Sequence, residues 1–213
     1  MSHQISVVWT VLAETAPRPY LNCSSCKTVR PFHSSGKVRL NANGKRLDAW
    51  LIYKCSYCEA TWNRPVHDRV PLKDFSSAEI DALEGSQREA VAGIEFDLAG
   101  LSGFTNRIDP ASGIRVEKAF LVEPGDSAWA GIDIVIRLPR PSGLRLDRLL
   151  GQALTLSRDA CRKLIEEQVL TIQWPVDASR AMRRPVRDGT LITIRPPQGC
   201  PGRAQWLAVV GSR

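Results

Sequence analysis

Between Ile5 and Leu12 the chain runs through Val7, Val8, Trp9 and Val11, a short stretch of β-branched and aromatic residues that predicts a strand. Val38 to Leu40 and Leu47 to Lys54 predict two further strands, with Asn41-Ala42-Asn43-Gly44 as the turn between them, because Asn and Gly tolerate positive φ. Lys37, Arg39, Lys45 and Arg46 lie along this hairpin, so one of its faces is expected to be cationic. From Ser76 to Ile94 the period becomes helical: Ile80, Leu83, Ala90, Val91 and Ile94 form a loose apolar stripe, interrupted at Gly85. Ser76 with Glu79 fits a capping box. Gly100, Gly103, Pro110 and Gly113 mark residues 97–114 as a loop.

Strand character returns at Val116 to Val122 and at Ile132 to Leu138, where Ile132, Ile134, Ile136 and Leu138 alternate with Asp133, Val135 and Arg137. Pro139 to Gly143 then interrupts regular structure and sets a boundary. Beyond it Leu146, Leu149, Leu150 and Leu154 fall on one side of a helix. Thr155-Leu156 ends that helix, and Ser157 caps a second one whose buried face holds Cys161, Leu164 and Ile165. Val169 to Ile172 and Leu191 to Ile194 are the last predicted strands, the second following the turn residues Asp188-Gly189.

The 213 residues suffice for one sizeable core or two small domains. Apolar runs fall far below the roughly 20 residues of a membrane span. No basic flank with a long apolar stretch opens the chain. A cytoplasmic protein with no membrane partner is therefore expected. The net charge is +7, but it is unevenly distributed. Residues 1–75 hold 11 Lys/Arg against 5 Asp/Glu, residues 76–125 hold 4 against 9, and residues 126–213 hold 14 against 8. Two basic ends around an acidic middle suggest faces for a polyanion, with solvated faces that bind nothing as the alternative.

The cysteines carry the clearest chemistry. Cys23-Ser-Ser-Cys26 is followed after 28 residues by Cys55-Ser-Tyr-Cys58. Each CxxC makes a tight turn that aims two sulfurs at one point, and two such knuckles complete a tetrahedral shell with Zn–S distances of about 2.3 Å. Cys23, Cys26, Cys55 and Cys58 are thus expected to hold one structural zinc ion per chain. Four thiolates leave no open position for a metal-bound water, so this centre is not catalytic. Iron in the same shell, His33 in place of one cysteine and a redox dithiol remain alternatives. His67 is expected in a turn after the ribbon. Cys161 is expected in the core and Cys200 in a loop, without a disulfide between them.

The C-terminal pattern resembles a known family. Leu144-Arg-Leu-Asp-Arg-Leu-Leu150, Leu156-Ser-Arg158, Arg162-Lys-Leu-Ile165 and Val186-Arg-Asp-Gly-Thr-Leu-Ile-Thr-Ile194 are similar to the small RNA-binding domain named after ribosomal small-subunit protein four. That resemblance implies two helices packed on a short sheet, with a basic helical face docking on structured RNA. On it Arg145, Ser157, Arg158, Arg162 and Lys163 would line the RNA face and Asp147 would orient an arginine; Arg183 and Arg184, in a basic stretch longer than that family has, are expected to join the RNA-binding residues. Gln168 stands where that family has glycine, so the resemblance implies a positive φ at Gln168 or a different local backbone. The stretch from Ser35 to Cys55, continuing Cys58-Glu-Ala-Thr-Trp-Asn63, resembles an uncharacterised bacterial zinc-ribbon family, domain of unknown function number 1062.

The expected fold is α+β in three consecutive segments. Residues 1–75 form a zinc ribbon of β-hairpins around the four-cysteine site, 76–139 an acidic linking region of helix and strands, and 140–213 the small RNA-binding-type domain. The expected function is non-enzymatic binding of structured RNA, ribosomal or transfer RNA, with DNA open as a competitor and a ribosomal or other protein as a further partner. Arg39, Lys45 and Arg46, with Trp50, Tyr53 and Trp62 nearby, offer a second contact surface, unless those aromatics are ribbon core. The alternative function is a zinc-ribbon interaction module that docks on a macromolecular complex without touching RNA. An RNA-directed enzyme would have to rely on Asp97 or Asp109, for no catalytic pattern is visible.

Overall fold

A computed structural model describes residues 3–122, 129–173, 182–196 and 203–211. It is α+β, with two five-stranded sheets in two compact units. Residues 1–14, 113–139 and 143–213 make one unit, and residues 15–112 with 140–142 make the other.

The ribbon unit holds β2 (Arg18–Cys23), β3 (Thr28–Asn43), β4 (Arg46–Cys55), β5 (Thr61–Pro71) and β6 (Ile108–Asp109), in the order β5-β4-β3-β2-β6. The pairings β2–β3, β3–β4, β4–β5 and β2–β6 are antiparallel. β3 and β4 form a long hairpin whose turn is Gly44-Lys45, with Asn41 to Asn43 still in the strand; Gly44 has φ 64°. β4 alternates strictly: Leu47, Ala49, Leu51, Tyr53 and Cys55 are buried and the residues between them are not.

Helices α1 (Ser77–Glu84), α2 (Arg88–Glu95) and α3 (Leu98–Ser102) belong to the same unit. Val91 of α2 and Leu101 of α3 share one cluster with Leu51 and Tyr53. The Ser76–Glu79 capping box is formed at α1. The single helix expected over 76–94 is instead two. Ser86 between them takes φ 49° and its hydroxyl accepts the Val38 amide at 2.9 Å, so a strand's hydrogen-bonding need sets the break. Within the expected loop lie α3, capped by the Asp97 carboxylate on the Gly100 amide at 2.9 Å, and β6. His67 stands in β5 rather than in a turn, edge-on to Phe75 at 4.9 Å.

The strands of the other unit are β1 (His3–Thr15), β7 (Ser112–Phe120), β8 (Trp129–Arg137), β9 (Leu170–Gln173) and β10 (Leu191–Ile194). Their order in the sheet is β7-β1-β8-β10-β9. β1 runs parallel to β8, while β10 is antiparallel to both β8 and β9. The unit also contains α4 (Leu146–Leu154), α5 (Arg158–Glu166) and α6 (Arg203–Gly211). Leu146, Leu149, Leu150, Ala153 and Leu154 of α4 join Ile5, Val7, Trp9, Ile132, Ile134 and Ile136 in one buried cluster. No sequence pattern points to α6. The Trp9 indole N–H donates to its Val210 carbonyl at 2.8 Å, and the Lys118 ammonium to Val209 at 2.6 Å and Ala153 at 2.8 Å.

This division differs from the three consecutive segments expected. The N-terminal strand leaves the ribbon for β8, and the acidic middle is split near residue 112. An apolar strand announces a buried face but not its distant partner. Among the described residues, no helix is long and apolar enough to cross a membrane.

Two left-handed residues bracket α5. Thr155, the C-cap of α4, has φ 56°, and Gln168, after α5, has φ 58°. The positive φ at Gln168 is the one implied by a glycine-like position there. A side chain in this region costs about 1–2 kcal/mol, partly offset by the larger unfolded-state entropy of glycine. Gln168→Gly is accordingly expected to stabilise this unit by roughly 0.5–1 kcal/mol. Urea unfolding of the two proteins checks it, and a lower midpoint for the variant would refute it.

Candidate functional site

β2 ends at Cys23 and β4 ends at Cys55, and each is followed by a tight turn. The two turns are built alike. The residue after the second cysteine is left-handed, Lys27 with φ 54° and Glu59 with φ 60°. Its amide donates to the carbonyl of the first cysteine, at 2.9 Å for Lys27 and 3.0 Å for Glu59. Non-glycine residues accept that conformation at a cost, so its recurrence at equivalent positions is imposed by the knuckle. Phe32 pairs with Cys55 in the β3–β4 register, and the Ser56 amide donates to the Pro31 carbonyl at 3.0 Å. Both knuckles therefore stand at the same end of the long hairpin.

The Cys23 and Cys58 sulfurs are 3.4 Å apart, those of Cys26 and Cys55 4.0 Å, and all four lie within 4.8 Å of one another. A tetrahedral metal with sulfur arms of about 2.3 Å would space them by about 3.8 Å. The four cysteines thus fit a single metal ion. All four are free thiols; Cys23 and Cys55 are buried and Cys58 is exposed. The Cys26 amide, donating to the Cys23 sulfur at 3.4 Å, holds that thiol down at about 6. Cys26 is pushed up to about 12, first by hydrogen bonding with Cys58 and then by burial. Filling the shell therefore means driving protons off sulfur, and metal affinity must fall as pH falls. His33 is not in the cluster; its Nδ1 lies 3.4 Å from the Ser56 hydroxyl.

The candidate RNA-contacting basic residues of the other unit divide into two groups. Asp147, buried at the start of α4, receives Nε of Arg145 at 3.1 Å and its Nη2, with Nε of Arg158 at 3.5 Å. One carboxylate thus gathers two guanidinium groups, as expected of a residue that orients an arginine. The chain at Arg183 and Arg184 runs beside them: the Leu146 amide donates to the Arg184 carbonyl at 3.0 Å and the Val186 amide to Leu144 at 2.7 Å. Arg183 is exposed and Arg184 half-buried. Arg162 instead pairs along its own helix with Asp159 at 3.2 Å and Glu166 at 3.7 Å, and Lys163 pairs with Glu167 at 3.7 Å. The Ser157 hydroxyl caps α5 by accepting the Ala160 amide at 3.1 Å. Cys161 is buried, and burial raises its thiol. Cys200 and Arg180 lie outside the described residues.

In the ribbon unit the sheet separates the aromatics that the sequence groups together. Tyr53 is fully buried and meets Trp62 at a tilt, with ring centres 5.3 Å apart, and Trp62 meets Phe104 edge-on at 5.2 Å. Tyr53 belongs to the core and Trp62 packs against it, while Phe104 is exposed. Trp50 is on the opposite face, in register with Arg39 and Pro65. At the hairpin tip Gly44, Lys45, Arg46, Pro71, Leu72 and Lys73 line an open depression of about 410 Å³. Sequence reasoning misses Lys73. Its signal would have been the pairing of Arg46 with Pro71, which no local pattern reveals.

A family model described as "Protein of unknown function (DUF1062)" matches residues 40–175, more than half of the chain. Neither a curated protein nor a solved structure matches.

Proposed function

Since the chain belongs to the family of proteins of unknown function DUF1062, whose description names no activity, we propose from its own residues that it binds structured RNA without catalysis, with a zinc ion as structural support. Zinc suits four thiolates in a closed tetrahedral shell, which offers no vacant position for chemistry. The RNA face is the start of α4 and α5 with the adjoining chain at Arg183 and Arg184. Ribosomal or transfer RNA is the ligand class, following the domain that this segment resembles.

The observation that carries the reading is the Asp147 carboxylate holding Arg145 and Arg158 together. Guanidinium groups fixed in advance lose little freedom when they bind phosphate, and planar forks suit bidentate contacts to phosphate oxygens. The antiparallel β9–β10 pair, the two helices and the left-handed Gln168 support the resemblance. Arg162 and Lys163 contribute less than their positions suggested, because α5 neutralises them with its own acids.

The test is a titration of the metal-loaded protein with transfer RNA, a ribosomal RNA hairpin and duplex DNA at two salt concentrations. Affinity for RNA is expected to fall with salt by about 0.7–0.9 log units per decade for each phosphate neutralised. Arg158→Ala/Arg183→Ala/Arg184→Ala, which leaves the Arg145–Asp147 pair intact, is expected to weaken RNA binding tenfold or more and to flatten that dependence. Salt-independent binding unaffected by the triple variant would sink the reading. The second reading, docking of the ribbon on a protein, is favoured by Val29 and Tyr57 beside the knuckles. They are 48% and 67% exposed, with the Arg30 guanidinium 4.1 Å over the Tyr57 ring.

A further inference from the structure

The ribbon sheet has one covered face and one open face. Leu51 and Tyr53 of β4 lie under Val91 and Leu101, while Arg46, Asp48, Trp50, Ile52 and Lys54 alternate to the other side. On that side Trp50 is half-buried between Arg39 of β3 and Pro65 of β5, both exposed. Arg46 lies four residues earlier, about 13 Å along the strand, and opens onto the depression lined by Lys45 and Lys73. Asp48 on this side accepts the Arg69 amide at 2.7 Å, Arg46 donates to the Arg69 carbonyl at 2.6 Å, and Glu59 of the second knuckle pairs with Lys54 at 3.2 Å.

We propose that this open face binds single-stranded nucleic acid, one base stacking on Trp50 while phosphates pass over Arg39 and Arg46 toward Lys45 and Lys73. The charge calls for a polyanion, and the indole selects its form. A duplex hides its base faces in the stack, whereas a single strand can lay one on an aromatic ring held in a rigid sheet. The side chain is half-buried, so its rotamer is already restricted and stacking costs little further freedom. The proposal shares only its ligand class, nucleic acid, with the α4–α5 reading; the surface and the form of strand are different.

The test uses the full metal-loaded chain and three probes: a twelve-nucleotide oligouridylate, its oligothymidylate counterpart and an RNA hairpin. Trp50→Ala is expected to weaken both single strands about tenfold or more, and Trp50→Phe to keep most of the affinity. Arg39→Ala/Arg46→Ala should lower the salt slope by about 1.4, and it carries the test if Trp50→Ala loses its metal. In the background of Arg158→Ala/Arg183→Ala/Arg184→Ala, the loss caused by Trp50→Ala should be the same as in the wild type. No single-strand binding by the wild type, or undiminished binding by a metal-retaining Trp50→Ala, overturns the proposal even where hairpin binding persists. Single-strand binding that depends on Trp50, beside hairpin binding indifferent to the triple variant, upholds it and removes the α4–α5 reading instead.

Discussion

Cys55→Ser is expected to abolish metal binding and to unfold the ribbon unit. The wild-type protein should carry about one metal equivalent per chain and the variant none. Cys55 is fully buried, and its carbonyl anchors the second knuckle. The nearby apolar cluster has seven buried members, Cys23, Phe32, Leu51, Tyr53, Cys55, Val91 and Leu101, of which two belong to the four-cysteine site, with eight partly buried hydrophobics packed against it. Structural zinc in finger peptides supplies roughly 10–16 kcal/mol, as large as the whole stability of an ordinary domain. Losing a contribution of that size is expected to unfold the unit. Acid should act in the same direction, since protons compete with metal for sulfur: the stabilisation is present at neutral pH and lost as pH falls. Hydrogen exchange reads the outcome. Amides of β3, β4 and β5 should lose protection in the variant, while those of β8 and β10 keep theirs. Retained protection across β3 to β5 in a metal-free variant would show that the hairpins stand without the ion.

What could be read in advance was local. Each CxxC encodes its own turn, and the two turns come out alike because the same four atoms must converge in each. Ser157, Ser76 and the leucines of α4 act through neighbours three or four residues away, and all fall as the pattern implies. The left-handed Gln168 was one of two outcomes implied by the resemblance, and nothing in its own neighbourhood announces it. The misses are long-range. Ile5, Val7, Trp9 and Val11 advertise a buried face, yet nothing near them says that the partner is β8, over a hundred residues away. Ser86 breaks a helix in order to satisfy Val38. The division of Trp50 from Tyr53 follows from strand alternation alone, and recognising it required only that β4 be continuous from Arg46 to Cys55. The pairing of Arg162 with Asp159 and Glu166 was likewise readable from its spacing of three and four residues.

Arg64→Ala is expected to cost the ribbon unit about 3 kcal/mol. Arg64 is 3% exposed on β5, opposite Leu51 on the covered face of the sheet. Its guanidinium donates to the Ile94 carbonyl at 2.7 Å, to the Asp97 carbonyl at 3.3 Å and to the Asp97 carboxylate at 2.7 Å. Two of these acceptors are backbone carbonyls at the α2–α3 junction: Ile94, in the last turn of α2, also accepts the Asp97 amide at 3.2 Å, and Asp97, the N-cap of α3, also accepts the Leu101 amide at 3.1 Å. The Asp97 side chain is 45% exposed, so water can replace that part of the interaction cheaply. The carbonyls are the costlier loss. Asp97→Ala should therefore cost only about 1 kcal/mol, mostly through the lost cap on the Gly100 amide. Arg64→Lys should recover little, because one ammonium cannot reach three acceptors that a planar fork spans. Gly100 tests the same junction from another side: a Cβ there would sit 2.0 Å from the Asp97 carboxylate and 2.2 Å from the Arg64 guanidinium. Gly100→Ala should thus loosen α3 without removing any polar group. Urea unfolding of the four variants ranks them. Equal costs for Arg64→Ala and Asp97→Ala would mean that the ion pair, and not the helix-end carbonyls, fastens the helices to the sheet.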